Sequence, residues 1–144
     1  MSASIEREAA CACGQLRIRL KGEPLIVSSC HCLACQRRTG ALFGSSACYG
    51  RDQVLSTHGQ HSSFRRQAKS GAWLGFRFCP TCGSTVFWEN ERLPDVVSVA
   101  VGAFADPRFP APARTVWSQT RHDWLHFPPD MPSHPQAPTT PVPR

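Results

Sequence analysis

Cys30-His31-Cys32-Leu33-Ala34-Cys35 places three cysteines within six residues, and this stretch decides the fold of the chain. Two cysteine pairs flank it at a distance, Cys11-Ala12-Cys13 and Cys79-Pro80-Thr81-Cys82. Zn²⁺ is held by thiolates about 2.3 Å away in a tetrahedron, so cysteines two or three residues apart can bind one ion from a single tight turn. The spacing therefore predicts metal ligands.

The number of clustered cysteines indicates two unlike sites. Seven of the eight cysteines lie in the three clusters. Two closed tetrahedral sites would need eight thiolates, whereas a four-Cys site and a three-Cys site leave one coordination position open. Closed zinc sites are structural, and open ones perform chemistry. We predict two zinc ions, and the predicted ligands are Cys11, Cys13, Cys30, Cys32, Cys35, Cys79 and Cys82.

Disulfides and redox chemistry are the competing interpretations of these cysteines. Cysteines this close in sequence form poor disulfide cross-links for stabilising a fold. Residues 1–10 also lack the apolar segment of a secretory signal. We therefore expect a cytoplasmic protein with reduced thiols. A thioredoxin-like pair, at Cys79/Cys82 or Cys32/Cys35, would need a helix and a βαβ context that the surrounding sequence does not supply.

Length and charge limit the function further. At 144 residues the chain can form one domain with its own core, and no apolar run approaches the about 18 residues of a membrane span. The formal net charge is +6, which taken alone indicates an acidic partner. Two Zn²⁺ ions add four charges and seven thiolates remove seven, which lowers that +6 to +3. The arginines are scattered, with only Arg37-Arg38 and Arg65-Arg66 adjacent, so nucleic acid is not the expected partner.

Strands dominate the pattern along the chain. Residues 16–21 alternate apolar and basic side chains, which predicts a half-buried strand. Residues 36–39 predict a short helical turn closed by Gly40, and residues 57–63 predict a polar loop. Further strands are predicted at 25–27, 41–49, 54–55, 64–67, 71–78, 85–88, 96–101 and 114–118.

The composition changes near the C-terminal end. From Pro128 to Arg144 there are seven prolines in seventeen residues. Such a segment is expected neither to pack nor to join a sheet, because Pro lacks a backbone N–H. We predict one domain over residues 1–127, followed by a Pro-rich tail over 128–144 that is disordered or lies along the surface.

The three cysteine motifs together resemble a known enzyme family. They are Cys11-Ala12-Cys13-Gly14, the string Cys30-His31-Cys32-Leu33-Ala34-Cys35-Gln36-Arg37 with Gly40 after it, and Phe78-Cys79-Pro80-Thr81-Cys82-Gly83-Ser84. In this order they resemble the glutathione-dependent formaldehyde-activating enzyme (GFA) family, which also includes centromere protein V. The resemblance covers about residues 8–127. It implies a mainly β, single-domain, zinc-stabilised β-tent fold with zinc-ribbon-like knuckles.

The resemblance also implies how the ligands pair and what they do. It assigns Cys30, Cys32 and Cys35 to a catalytic site. It assigns to a structural site Cys11, Cys13, Cys79 and Cys82. The implied activity is that of a carbon-sulfur lyase, an S-(hydroxymethyl)glutathione synthase-like enzyme that adds glutathione or a related thiol to formaldehyde or a similar small aldehyde. No membrane partner is expected, and the oligomeric state stays open.

A three-Cys zinc with an open position suits a thiol substrate. The metal lowers the pKa of a bound thiol, and the thiolate is the nucleophile. Three protein thiolates leave the site at net −1, so it is better suited to binding a thiol than to activating water. Arg37 and Arg38 lie two and three residues after Cys35, the last ligand of this cluster, and we predict that they bind a glutathione carboxylate.

Two other functions stay open. In one, both zinc ions are structural and the chain is a binding module, for which nucleic acid would require clustered cations with interleaved aromatics. In the other, His31, His122 or Asp123 serves as a general acid or base of a zinc hydrolase or lyase. These residues also have non-catalytic interpretations. His31 would then face solvent, with its side chain pointing away from the metal, and Trp124 would pack in the core. Cys48 lies outside the motifs and is predicted to be a small buried thiol.

Overall fold

Ten strands and one α-helix make up the part of the chain that this computed structural model describes, residues 4–138 and 142–143. The strands are β1 (Glu6–Ala10), β2 (Arg17–Lys21), β3 (Ile26–Cys30), β4 (Gly44–Gly50), β5 (Val54–His58), β6 (Ser62–Gln67), β7 (Trp73–Phe78), β8 (Thr85–Asn90), β9 (Val96–Ala100) and β10 (Arg114–Val116). The helix α1 spans Leu33–Thr39, and 3₁₀ turns lie at Arg51–Gln53, Val101–Phe104 and Ser118–Thr120. The one α-helix in these ranges is too short to cross a membrane.

The strands form two sheets that share a core. The smaller sheet has the order β1-β2-β5, and the larger has the order β10-β3-β4-β9-β8-β7-β6. Strand β2 buries Ile18 and Leu20 and exposes the basic residues that alternate with them. These two side chains belong to the same core cluster as Tyr49, Val86 and Val99 of the larger sheet. Burial of this apolar face joins the two sheets.

The mainly β, single-domain prediction is confirmed, and so is the alternation in β2. Helix α1 begins earlier than the predicted turn, because Cys32 is its N-cap and its Sγ accepts a hydrogen bond from Cys35 N at 3.2 Å. It ends at Gly40 in the left-handed conformation, as expected. The predicted loop over 57–63 is shorter in the structure, because β5 pairs with β2 as far as His58.

The tail departs from the expectation that its prolines keep it off the sheet. Ser133 forms a parallel bridge with Thr115 of β10. The N–H of Thr115 donates to the carbonyl of Pro132, and the N–H of His134 donates to the carbonyl of Thr115. Pro lacks only the donor, so prolines that alternate with other residues can still pair along an edge strand. The domain boundary at residue 127 stays a prediction.

Candidate active site and metal centres

The turn after β1 and the turn between β7 and β8 bring four cysteines together. The Sγ atoms of Cys11, Cys13, Cys79 and Cys82 all lie within 4.8 Å of one another, and none of these cysteines forms a disulfide. The Sγ of Cys13 lies 3.6 Å from that of Cys11 and 3.7 Å from that of Cys79. Sulfurs of a tetrahedron with bonds of about 2.3 Å lie about 3.8 Å apart. The cluster therefore fits a single Zn²⁺.

Hydrogen-bond donors surround the sulfurs of this cluster. The backbone N–H of Leu16 donates to Cys11 Sγ at 3.3 Å, and that of Thr81 donates to Cys79 Sγ at 3.3 Å. These backbone donors stabilise the thiolate form that a metal requires. Cys82 Sγ donates to the Ser84 hydroxyl oxygen at 3.4 Å, and the side-chain contact with Ser84 is the main cause that lowers the pKa of Cys82 to about 5.

Gln15 is a site residue that the sequence analysis missed. Its Nε2 donates to Cys79 Sγ at 3.0 Å and to the Gln60 carbonyl at 2.7 Å, while Gln60 N donates to Gln15 Oε1 at 2.9 Å. Gly59 is required beside it, since a Cβ there would overlap the backbone oxygen of Gln15 and its φ is +91°. The polar loop before β6 thus positions a donor on Cys79, a predicted zinc ligand. The sequence carries no signal for this contact except Gly59.

We expect Gln15→Ala to weaken zinc binding at the four-Cys cluster by about 10- to 100-fold, because residues that orient metal ligands commonly contribute this much. Competition with a chromophoric chelator measures the loss. Gln53→Ala is the matched control, since Gln53 also bonds backbone groups, including the carbonyls of Lys21 and Glu23, but has no recorded contact with sulfur. Equal zinc affinity of Gln15→Ala and wild type would contradict the role of Gln15.

The second cluster lies where β3 runs into α1. Cys30 ends β3, Cys32 caps α1 and Cys35 lies in its first turn, so that their Sγ atoms fall within 4.8 Å of one another. Hydrogen bonds from Cys30 and then Cys35 lower the pKa of Cys32 to about 2, and the contact with Cys32 raises the pKa of Cys30. Only a cation would let all three thiols ionise together. The cluster therefore fits a zinc ion with three protein ligands.

A cavity of about 740 Å³ adjoins the three-Cys cluster. All three cysteines line it, together with Arg66 from β6 and Lys69 from the connection between β6 and β7. Trp117, which follows β10, and residues 136–138 of the tail complete the wall. A space of this size is typical of small-molecule sites.

Within the part of the chain that the structure describes, Arg37 and Arg38 do not line this cavity. Arg37 is exposed to solvent. The Arg38 guanidinium lies over the rings of Trp88, at 4.6 Å, and Phe76, at 5.2 Å. It lines a separate cavity of about 640 Å³ that also contains Phe43. Their predicted role in carboxylate binding stays a prediction.

His31 is neither a ligand nor solvent-facing. It is fully buried, and its ring centroid lies 5.3 Å from those of Phe43 and Phe127. Burial lowers its pKa and keeps the ring neutral. His31 therefore belongs to an aromatic cluster behind the cysteines, a correction to the solvent-facing alternative.

The other candidate acid-base residues lie outside the cavity. His122 Nε2 is 3.1 Å from Gln36 Oε1 and so contacts the middle of α1. Asp123 is exposed, and Trp124 is 67% exposed rather than packed in the core. Cys48 is a buried thiol beside Ser98, which confirms its prediction. The general acid-base hypothesis gains no support from these positions.

Comparison with known proteins agrees with the fold and the cysteine clusters. A family model described as glutathione-dependent formaldehyde-activating enzyme matches residues 6–120. The crystal structure of a Rhodobacter sphaeroides protein is similar, with a TM-score of 0.53 and 22% sequence identity, over 70% of this chain and 92% of that chain. At this identity the likeness shows the fold alone. No curated protein matches the chain. The chain belongs to the glutathione-dependent formaldehyde-activating enzyme family.

Proposed function

We propose that this protein is a zinc-dependent carbon-sulfur lyase that joins a thiol to a small aldehyde at Cys30, Cys32 and Cys35. The observation that carries the proposal is that three free thiols within 4.8 Å of one another open onto a cavity of about 740 Å³. Family membership supports glutathione and formaldehyde as the substrates and S-hydroxymethylglutathione as the product. We place the reaction in the cytoplasm, where reducing conditions keep such thiols free.

The chemistry requires little beyond a thiolate held next to an aldehyde. A zinc ion held by the three cysteines would offer an open position that lowers the pKa of the substrate thiol. The substrate sulfur forms a bond to the carbonyl carbon, the C=O π bond breaks, and the thiol proton ends on the former carbonyl oxygen. With a zinc ion bound, three cysteine thiolates would leave the site at net −1. This charge disfavours activation of water, so the site is better suited to a thiol.

The four-Cys cluster has a structural role in this proposal. It joins Cys13, in the turn between β1 and β2, to Cys79, 66 residues away between β7 and β8. A closed site has no position for a substrate. Its ion would hold the smaller sheet against the larger one.

Titration of cobalt- or zinc-loaded protein with glutathione tests the proposal. We expect heat of binding by calorimetry and a change in the thiolate-to-cobalt absorption band, because the substrate sulfur joins the three-Cys site. Formation of S-hydroxymethylglutathione from glutathione and formaldehyde, followed by NMR, measures the activity. The absence of any change up to millimolar glutathione would contradict the glutathione assignment.

The two arginines after the last ligand have distinguishable expected effects. We propose that both arginines bind a substrate carboxylate, and we expect Arg38→Ala to weaken glutathione binding more than Arg37→Ala. Arg38 is held against Trp88 and Phe76, whereas Arg37 is exposed, and exposed charges contribute little. Calorimetric titration of the two variants measures the difference, and wild-type affinity in both would contradict a role for either.

One observation favours a second function, a zinc-stabilised module that binds nucleic acid. The structure places a cation on an aromatic ring that is separate from it in the sequence: the Arg65 guanidinium lies 4.7 Å from the Trp73 ring centroid, and both side chains are exposed. Interleaved cations and aromatics are a feature of single-strand binding surfaces. Fluorescence anisotropy of a labelled single-stranded oligonucleotide at increasing salt tests it, and binding without a lyase reaction would favour this alternative.

A further inference from the structure

We propose that Arg66 and Lys69 bind a carboxylate of the thiol substrate, and so make the cavity selective for anionic thiols. The inference rests on the proposed function, because it names the class of thiol used at the three-Cys site. Arg66 is on β6 and Lys69 is in the connection to β7, more than 30 residues beyond Cys35. Strand β6 is an edge strand far from β3 in the larger sheet, so neither strand pairing nor sequence proximity but the three-dimensional fold brings the two side chains to the cavity of the cysteines.

Apart from the cysteines, the charged side chains that line the cavity are all positive. Arg66 and Lys69 both line it, and no Asp or Glu occurs among its described lining residues. With three thiolates and a zinc ion, the reactive end carries net −1. This negative charge would repel an anionic substrate unless cations elsewhere in the cavity attract it. The two basic side chains supply that compensation.

Both cations are positioned without being neutralised. Neither side chain forms an ion pair with another residue of the part of the chain that the structure describes. Instead, the Arg66 guanidinium lies 5.4 Å from the Phe76 ring centroid, and Lys69 Nζ lies 5.3 Å from that of Trp117. A cation–π contact holds the side chain over a ring face and leaves its N–H groups available to a carboxylate.

The alternation of β6 provides a matched control. Successive side chains of a strand point to opposite faces, so Arg65 and Arg66 cannot share a surface. Arg66 and Leu74, its partner in β7, line the cavity. Arg65 is not in the described lining and lies over Trp73 instead, at 4.7 Å. Arg65→Ala therefore removes one exposed arginine from the same strand without changing the cavity.

Calorimetry on the zinc-loaded protein tests the inference with two probes, glutathione and the uncharged thiol 2-mercaptoethanol. We expect Arg66→Ala and Lys69→Ala each to weaken glutathione about tenfold, a change of about 1.4 kcal/mol, and to leave 2-mercaptoethanol unchanged. Arg65→Ala should bind both thiols like wild type, and Arg66→Lys should regain part of the affinity. Added salt should weaken glutathione binding more in wild type than in Arg66→Ala, because the lost contact is ionic.

The possible failures are distinguishable. If wild type binds glutathione and both alanine variants bind it equally well, the inference is wrong while the proposed function stands. Equal loss of both thiols in Arg66→Ala and Lys69→Ala would show a structural effect and would also overturn the inference. If wild type binds neither thiol, the proposed function fails and the inference fails with it.

Discussion

Cys82→Ser is expected to give an unfolded or molten domain that no longer retains zinc at the four-Cys cluster. The cluster connects the turn after β1 to the turn between β7 and β8, so an ion bound there would hold together two sheets whose contributing segments are far apart in sequence. Structural zinc contributes roughly 10–16 kcal/mol of apparent binding free energy. A domain of this size has a total stability of about 5–15 kcal/mol. Loss of one ligand therefore removes a contribution as large as the whole free energy of unfolding.

Near-UV circular dichroism, thermal melting and zinc content per chain measure this result. Cys48→Ala is the matched control, because Cys48 is also buried but its Sγ contacts Ser98 and no other cysteine. It should keep both zinc ions and lose about 1 kcal/mol of stability, as an ordinary core substitution does. A Cys82→Ser protein with native near-UV dichroism and melting temperature would show that the four-Cys cluster is not structural.

Local sequence patterns predicted those parts of the fold that depend on close neighbours. The alternation of Arg17–Lys21 gave β2 its buried and exposed faces, and Gly40 marked the end of α1. Strand β1 was missed, because its sequence of Glu, Arg and Ala has no strand propensity of its own. It is a strand because β2 pairs with it, with cross-strand ion pairs such as Glu6 to Arg19. Tertiary pairing here overrides local preference.

The candidate site likewise combines features that local sequence predicts with features that depend on the tertiary fold. Within each short motif the cysteines are close in sequence, so their spacing predicts metal ligands. The grouping of Cys11 and Cys13 with Cys79 and Cys82 across 66 residues was implied only by the family resemblance, and the structure places these four Sγ atoms together. Gln15 and Gln60 meet only because β2 and β5 are neighbours, and Arg66 reaches the three-Cys cavity from β6, at the edge of the larger sheet far from β3, only through the three-dimensional fold. Such contacts depend on strand order and register, which a single sequence specifies weakly. Arg37 and Arg38 illustrate the converse, since proximity in sequence to Cys35 did not place them in the described lining of the cavity.

Cys32→Ser is expected to abolish activity and remove one zinc ion per chain while most of the fold remains. The three-Cys cluster involves a single segment, the end of β3 and the start of α1, so an ion bound there would cross-link little of the chain. Cys32 also caps α1, because its Sγ accepts a hydrogen bond from Cys35 N at 3.2 Å. Serine is itself a good N-cap, so this substitution removes the thiolate and keeps the cap.

The comparison with Cys32→Ala separates the two roles of this residue. Alanine removes both the metal ligand and the cap, so Cys32→Ala should lose about 1 kcal/mol more stability than Cys32→Ser at equal zinc content. Zinc analysis, thermal melting and the lyase assay measure the three quantities in the same preparations. Full activity in Cys32→Ser would exclude the three-Cys site as the catalytic centre. Loss of both zinc ions together would instead indicate one binuclear site, which the separation of the cysteines into two clusters argues against.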